Sequence, residues 1–332
     1  MEYRNRSGSR YADKNGSRRV SGRKRRRRRR NRQLFYICVI VFLVLLIICG
    51  AGTLILYRSG HKEAPEVSVD LESLDSPYAV LIDKDTGEVI ASKKGDEKIF
   101  PASMVKIMTV LTAIENIKKL DKTVAMSYDY YDALYEQDAS RAGFEPGEEA
   151  VIRDLLYGAL LPSGAECCME LALQAAGSES AFVELMNQRA SGLGLTQTHF
   201  TNCTGLHSDD QYSTVTEIGK VLREALENKT FYKVFTTDSY TVQATEVHPE
   251  GFTFHSTMFK NMESPTVIGG EIKGGKTGYT DEAGHCLASM AVVGGREYIL
   301  VTAGWAGDPR TEQYHINDAF LAYNQVGRSV SD

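Results

Sequence analysis

Cysteine is sparse in this chain, and the six present exclude the two patterns that cysteines most often announce. Cys38 and Cys49 sit in one long apolar run, Cys167 and Cys168 are adjacent, and Cys203 and Cys286 stand alone. Neither a disulfide ladder nor a CxxC zinc spacing is present. Buried thiols are the expectation, with a bridge from Cys203 or Cys286 to the adjacent pair left open. The histidines are equally unpatterned. His199, His207, His255, His285 and His315 show neither HExxH spacing nor clustering, so no metal and no cofactor is expected. No internal repeat is visible. Positive charge is scarce beyond residue 58: residues 1–58 hold 16 Lys and Arg against 2 Asp and Glu, whereas residues 59–332 hold 22 against 41, a net of −19. The two parts face different surroundings.

Residues 1–33 are rich in Arg, Ser, Gly and Asn, with an unbroken run from Arg25 to Arg30. Such a run repels itself and buries no core, so it reads as a disordered tail. By itself it would suit a nucleic-acid arm. It abuts Leu34–Tyr57, however, 24 residues without a charge, long enough to span a bilayer and too long for a signal-peptide core. That neighbour predicts a single transmembrane helix over 34–57 and no nucleic-acid partner; Gly50, Ala51 and Gly52 keep a cleavage site open as the lesser alternative. The positive-inside rule then keeps the N-terminus cytoplasmic, places everything after the span outside the cell membrane, and sets the basic run against anionic headgroups.

Beyond the span, residues 58–75 read as a polar, acidic tether, 76–327 as one domain of ordinary size, and 328–332 as a short tail. Tyr78–Ile82, the turn at Asp83–Gly87 and Glu88–Ser92 predict a β-hairpin. Apolar spacing of three and four predicts helices over 104–118, 151–160, 166–176, 179–193 and 214–227. Strands are expected over 252–259, 272–280, 286–293 and 298–305, with a final helix over 311–326. An N-terminal hairpin, a helical middle and C-terminal strands make an α+β domain in which the two chain ends share an antiparallel sheet.

Three stretches carry chemistry. Pro101-Ala-Ser103-Met-Val-Lys106 puts a serine at a helix mouth with a lysine three residues on, hence on the same face. The amine is then placed to take the serine proton, which makes an activated nucleophile; alone, the stretch reads more readily as an ordinary amphipathic helix whose lysine reaches solvent. Pro162-Ser163-Gly164-Ala165-Glu166 sets a second serine at a loop-to-helix junction, where it also reads as an N-cap with Glu166 completing a capping box. Lys273-Gly-Gly-Lys276-Thr277-Gly278-Tyr279-Thr280 is a strand whose glycines would let a ligand backbone approach its edge, with a cation and hydroxyls suited to a carboxylate. Together, serine with lysine one turn on, a second serine loop and KTG match the motif set of penicillin-binding proteins and β-lactamases.

On these motifs the chain resembles the low-molecular-mass penicillin-binding proteins that act as serine-type D-alanyl-D-alanine carboxypeptidases. The similarity covers about residues 75–327 and extends to Phe182–Asn187, Leu193–Thr196, Phe200–Asn202 with Gly205-Leu206, Tyr212–Thr214 and Lys276–Gly284. It implies a transpeptidase-like α+β fold, an antiparallel sheet packed with a helical subdomain. It further implies that Ser103 is the nucleophile acylated by the penultimate D-Ala, Lys106 its general base and Ser163 the proton relay to the departing D-Ala. Lys276 and Thr277 would hold the substrate carboxylate, within a substrate-binding strand that includes Gly278, Tyr279 and Thr280. The backbone N–H groups of Ser103 and Tyr279 would form the oxyanion hole, and Arg310 falls where the family often has an arginine near the site. The implied substrate is a peptidoglycan stem peptide ending in D-Ala-D-Ala, with β-lactams as covalent inhibitors. The flanking stretches favour a carboxypeptidase over a β-lactamase. Glu184 and Asn187 superficially match a deacylating loop but sit in a helical pattern and read as scaffold.

Two departures stand out. Ala165 occupies the place where the family usually has Asn, which removes an amide that would orient substrate and Lys106. This leaves open a protein that binds penicillin with little turnover. The family also often carries a trailing β-domain and a C-terminal amphipathic anchor, whereas here the anchor is expected at the N-terminus.

Overall fold

The apolar run at Tyr78 is the natural centre of the sheet. In the computed structural model, which describes residues 67–307 and 313–331 and isolated positions between 29 and 44, this run forms β1 (Tyr78–Asp83) and turns back as β2 (Val89–Lys93). The expected tail, most of the expected span at 34–57, the tether up to residue 66 and Arg310 lie outside the described residues. Among the described residues, no helix is long and apolar enough to cross a membrane.

After β2 come α1 (Val105–Asn116), β3 (Thr123–Ala125), α2 (Tyr131–Glu136), β4 (Glu149–Val151), α3 (Ile152–Leu160), α4 (Ala165–Ala176), α5 (Glu179–Gly192), α6 (Val215–Leu226) and α7 (Lys229–Phe235). Then follow β5 (Ser239–Val242), β6 (Phe252–His255), β7 (Thr266–Val267), β8 (Gly270–Thr280), β9 (Gly284–Val293), β10 (Arg296–Trp305) and α8 (Tyr314–Ser331). The main sheet has the order β2-β1-β10-β9-β8-β7, with every pair antiparallel. The two chain ends therefore meet at β1 and β10, as the sequence predicts.

Both faces of this sheet are covered, so its central strands read as apolar runs rather than as alternating polar and apolar residues. On β9, Cys286, Ala288 and Met290 pack into the helical core, while Leu287, Ala291 and Val293 pack into the layer under α8. β1 divides the same way, Val80 and Ile82 to one face and Ala79 and Leu81 to the other. Helix α1 is buried from Val105 to Ala113, polar residues included, which makes it the axis of the helical layer. Helix α8 lays Ile316, Ala319, Tyr323 and Val326 on the opposite face of the sheet at helical spacing.

The domain reaches further at both ends than 76–327. Helix α8 continues to Ser331 instead of stopping at 326, and residues 67–75 are not a free tether but a strap laid along it. Leu71 and Leu74 are buried in the α8 layer. Ser329 Oγ donates to Ser68 O at 2.9 Å, Asp70 N donates to Gln325 Oε1 at 2.7 Å, and Asp75 N and Ser76 N donate to the two oxygens of Asp318 at 2.9 and 2.8 Å. Two leucines three residues apart in an otherwise polar, acidic stretch carry too short a pattern to predict this docking. Because Asp318 is fully buried and its charge is met by these two N–H groups, Asp318→Ala is expected to destabilise the domain by about 3 kcal/mol, the cost of two bonds to a charged acceptor. Urea denaturation followed by circular dichroism measures it.

Candidate active site

Ser103 lies in a short 3-10 turn, Ala102–Met104, that feeds directly into α1, so its side chain stands at the helix mouth as expected. The turn is strained: Ala102 has φ of 46°, a left-handed value that costs a non-glycine residue energy and persists only where the surroundings impose it. Two glycines do the imposing. A Cβ on Gly278 of β8 would lie 3.0 Å from Ser103 N, and one on Gly205 would lie 2.2 Å from the Ala102 carbonyl oxygen. Both segments press against the backbone of the Ala102–Ser103 turn, Gly205 at a distance that only glycine permits and Gly278 at one that a side chain would make tight.

One turn on, Lys106 is 2% exposed and places Nζ 3.0 Å from Ser103 Oγ. Its second partner is the main-chain carbonyl of Thr204. Burial holds the Lys106 amine below the usual lysine range, outweighing the opposing pull of the nearby thiols and Glu166. The surface-lysine alternative is thereby excluded, and the group has the character a general base requires.

Ser163 sits between α3 and α4 with φ of 69°, and its Oγ receives a hydrogen bond from Lys276 Nζ at 3.0 Å. It is not the N-cap of α4. Gly164 holds that position without a side-chain cap, and Glu166 does not close a capping box. A cap residue needs an extended backbone, which the left-handed Ser163 lacks. Glu166 is instead fully buried, its Oε1 accepting from Ala142 N at 2.6 Å and Gly143 N at 2.8 Å. It braces the segment that lies against the second serine loop, where Ala165 N also donates to Ser140 O at 2.8 Å.

Lys276, fully buried on β8, also donates to the Thr277 carbonyl at 2.6 Å. Burial first, and then the charge of Lys106, push its pKa well below the lysine range. Two amines so close and so dry resist being protonated together. An anion arriving beside Lys276 would favour its charged form and leave Lys106 as the neutral partner.

The glycines of β8 have a different role from the one expected. Cβ atoms on Gly274 and Gly275 would lie 2.4 Å from the Phe235 carbonyl and 2.2 Å from Met258 Sδ, so these residues admit the protein's own backbone and side chains rather than a ligand. The access that the sequence suggested arises from topology instead. β7 pairs only with Gly270 and Glu271, so beyond Ile272 that edge of β8 has no neighbouring strand among the described residues. Thr277 Oγ1 lies 2.6 Å from Thr257 Oγ1, and Thr280 Oγ1 accepts from Ala283 N at 3.1 Å. Each hydroxyl keeps a further hydrogen-bonding capacity. The Tyr279 hydroxyl donates to Asp281 at 2.8 Å.

The structure thus brings Ser103 with Lys106 and Ser163 with Lys276 into two hydrogen-bonded pairs, with Gly278 against the Ser103 backbone. The Asn202–Leu206 loop, legible in the sequence only as a flanking stretch, supplies the lysine's carbonyl partner, a contact that the sequence does not show. Its signal is an Asn three residues before a glycine, a turn pattern that carries no chemistry until the loop is placed. Glu184 is exposed on α5, and Asn187 holds the Phe200 backbone through bonds of 2.8 and 2.9 Å, which agrees with a scaffold role. The four described cysteines are free and buried, and burial pushes Cys168 up to about 11 and Cys286 up to about 12. The bridge left open at Cys203 or Cys286 is not formed. The histidines are less scattered than they read: folding stacks His285 on His315 at 4.8 Å, where burial lowers His315 to about 3.

A cleft of about 490 Å³ between the β3–β4 pair and residues 243–247 contains none of these groups.

Fold and site together set an SxxK serine and lysine at a helix mouth beside a KTG strand, on an antiparallel sheet packed with a helical layer. The profile described as D-alanyl-D-alanine carboxypeptidase matches residues 63–306, and the chain belongs to that family. The D-alanyl-D-alanine carboxypeptidase DacF of Bacillus subtilis is 34% identical over 230 residues, covering 69% of this chain and 57% of that protein. The D-alanyl-D-alanine carboxypeptidase of Streptomyces sp. (strain K15) is 31% identical over 243 residues, 71% of this chain and 82% of that one. The crystal structure of the Streptomyces K15 DD-transpeptidase superposes with a TM-score of 0.69 at 26% identity, covering 78% of this chain and 99% of that chain. The chain spans little more than half the length of the Bacillus relative.

Proposed function

We propose that this protein is a membrane-anchored serine DD-carboxypeptidase that removes the terminal D-Ala from peptidoglycan stem peptides through an acyl-enzyme on Ser103. The observation that carries the reading is the 3.0 Å contact between a buried, low-pKa Lys106 and Ser103, beside the equal contact between Lys276 and Ser163. Ser103 Oγ attacks the penultimate D-Ala carbonyl as its proton passes to Lys106 Nζ. The tetrahedral oxyanion faces the N–H groups of Ser103 and Tyr279, each such donor contributing about 3 kcal/mol. Collapse breaks the peptide bond as Ser163 relays the proton held on Lys106 to the departing amine; water, giving a proton to Lys106, then attacks the ester, and that proton returns to Ser103 Oγ as the acid leaves. The substrate carboxylate meets Lys276 and Thr277, and the peptide adds along the open edge of β8. Residues 34–57 anchor the chain with the domain outside, a reading that rests on the uncharged run after the basic tail.

Mass spectrometry after brief exposure to penicillin, followed by assay of D-Ala release from diacetyl-Lys-D-Ala-D-Ala, tests this. A Ser103 adduct with D-Ala release supports it. An adduct without release makes Ala165 the mark of a binding protein, rapid loss of the adduct with β-lactam turnover points to a β-lactamase, and no adduct overturns the reading.

The pH dependence follows from the two lysines. The two amines titrate as a coupled pair, so the limbs belong to the pair: where both are protonated the base is gone and kcat/KM falls on the acid side. Deprotonating Lys276 removes the carboxylate's partner, so kcat/KM falls again on the alkaline side. A bell-shaped profile is expected in steady-state assays.

A further inference from the structure

The loop from Asn202 to Leu206 is organised by one side chain. Asn202 Oδ1 accepts from Thr204 N at 3.2 Å, Thr204 Oγ1 at 3.1 Å, Gly205 N at 2.8 Å and Gln211 Nε2 at 3.2 Å, while its Nδ2 donates to Leu206 O at 3.0 Å. Gln211 closes the ring, its Oε1 accepting from Thr201 N and Asn202 N at 3.0 and 3.2 Å. The shortest of the Asn202 bonds matters most. Gly205 N–H and the Thr204 carbonyl belong to the same planar peptide unit and point in opposite directions, so gripping the one aims the other. That carbonyl is the acceptor for Lys106 Nζ. The same peptide unit is wedged behind the nucleophile, since Gly205 has no room for a Cβ against the Ala102 carbonyl. Position 165, with Ala, offers no polar side-chain atom to share the task.

We infer that Asn202 is a positioning residue for acylation: by holding the Gly205 N–H it aims the Thr204 carbonyl, which orients the Lys106 amine toward Ser103. A neutral amine has one lone pair, and anchoring an N–H on a fixed carbonyl leaves the lone pair directed at the serine proton. The inference rests on the reading of Ser103 as the acylated nucleophile. The other titratable groups facing Lys106 are Glu166, Cys167 and Cys168 of α4, Cys203 of the loop and Lys276 of β8, and no Asn202 substitution alters them.

The test uses the full chain in detergent, with Asn202→Ala and Asn202→Asp, and follows Ser103 acylation by benzylpenicillin against pH. The loop keeps other ties in both variants, Cys203 N to Glu179 at 3.1 Å and Thr109 Oγ1 to Cys203 O at 2.7 Å, and thermal melting checks that each is folded. In the Ala variant acylation falls on the order of 10²-fold, the usual penalty for a misplaced group. Its acid limb moves to lower pH, because the carbonyl no longer favours the ammonium form. Asp keeps the acceptor, restores most of the rate, and leaves the limb at or above that of the unmodified chain because of its added negative charge. Unchanged acylation in the Ala variant overturns the inference. So does an equal loss in both variants with an unmoved limb, which marks Asn202 as loop scaffold only. No adduct on the unmodified chain overturns the Ser103 reading and this one with it.

Discussion

Lys106→Met is expected to slow Ser103 acylation by about 10³-fold, within the range of a positioned general base. Methionine matches the length of the lysine stem and leaves no charge in a site that is 2% exposed, so the fold should survive the change. Burial already disfavours the charged amine, and removing it relieves that cost. Activity and stability should therefore move in opposite directions. Stopped-flow measurement with a chromogenic β-lactam reads the rate and thermal melting reads the fold. Acylation within tenfold of the unmodified protein would remove Lys106 from the role of base.

Lys276→Met is expected to lower kcat/KM for a D-Ala-D-Ala peptide on the order of 10²-fold or more. Leaving one partner of a buried charge pair unmatched costs about 2–5 kcal/mol, and here the unmatched partner would be the substrate carboxylate. Two changes in the pH profile distinguish this from general damage. The alkaline limb disappears, because the group that titrates there is gone. The acid limb becomes that of Lys106 alone, because the pair no longer titrates together. Steady-state kinetics across the pH range separates the two. Lys276→Arg keeps the charge but not the shape of an ammonium donor 3.0 Å from Ser163, so it should recover carboxylate binding better than turnover.

The two lysines also tie stability to pH. Each is held below its unfolded pKa near 10.4, so between the folded and unfolded values the unfolded chain binds more protons. Their combined cost to the fold is greatest where the unfolded lysines are charged, and it diminishes as the pH rises toward 10.4.

The motifs were readable because each is local: Ser103 and Lys106 are one turn apart, and a helix puts them on one face whatever surrounds it. The antiparallel sheet was readable because its strands are long and apolar, and the split of the helical middle followed from spacing and glycine punctuation. Short elements were not. Helices α2 and α7, the β3–β4 pair and β5 are too brief to show a period and are held by tertiary packing, as where Tyr240 of β5 stacks on Tyr157 at 3.7 Å.

The residue types, their order and the separation of a basic, uncharged and acidic chain are properties of the sequence by itself, and they determined the chemistry on offer and the class of fold. The tertiary structure decided which groups meet. It set Lys276 against Ser163 across more than a hundred residues, turned Ser163 into the left-handed conformation that rules out a cap, and filled the β8 glycines with the protein's own atoms. It also brought the Thr204 carbonyl to Lys106 from a loop about a hundred residues further along the chain. The physical reason is the same in each case. Burial, strain and the aim of a main-chain group depend on neighbours far away in the chain, and local pattern carries no record of them.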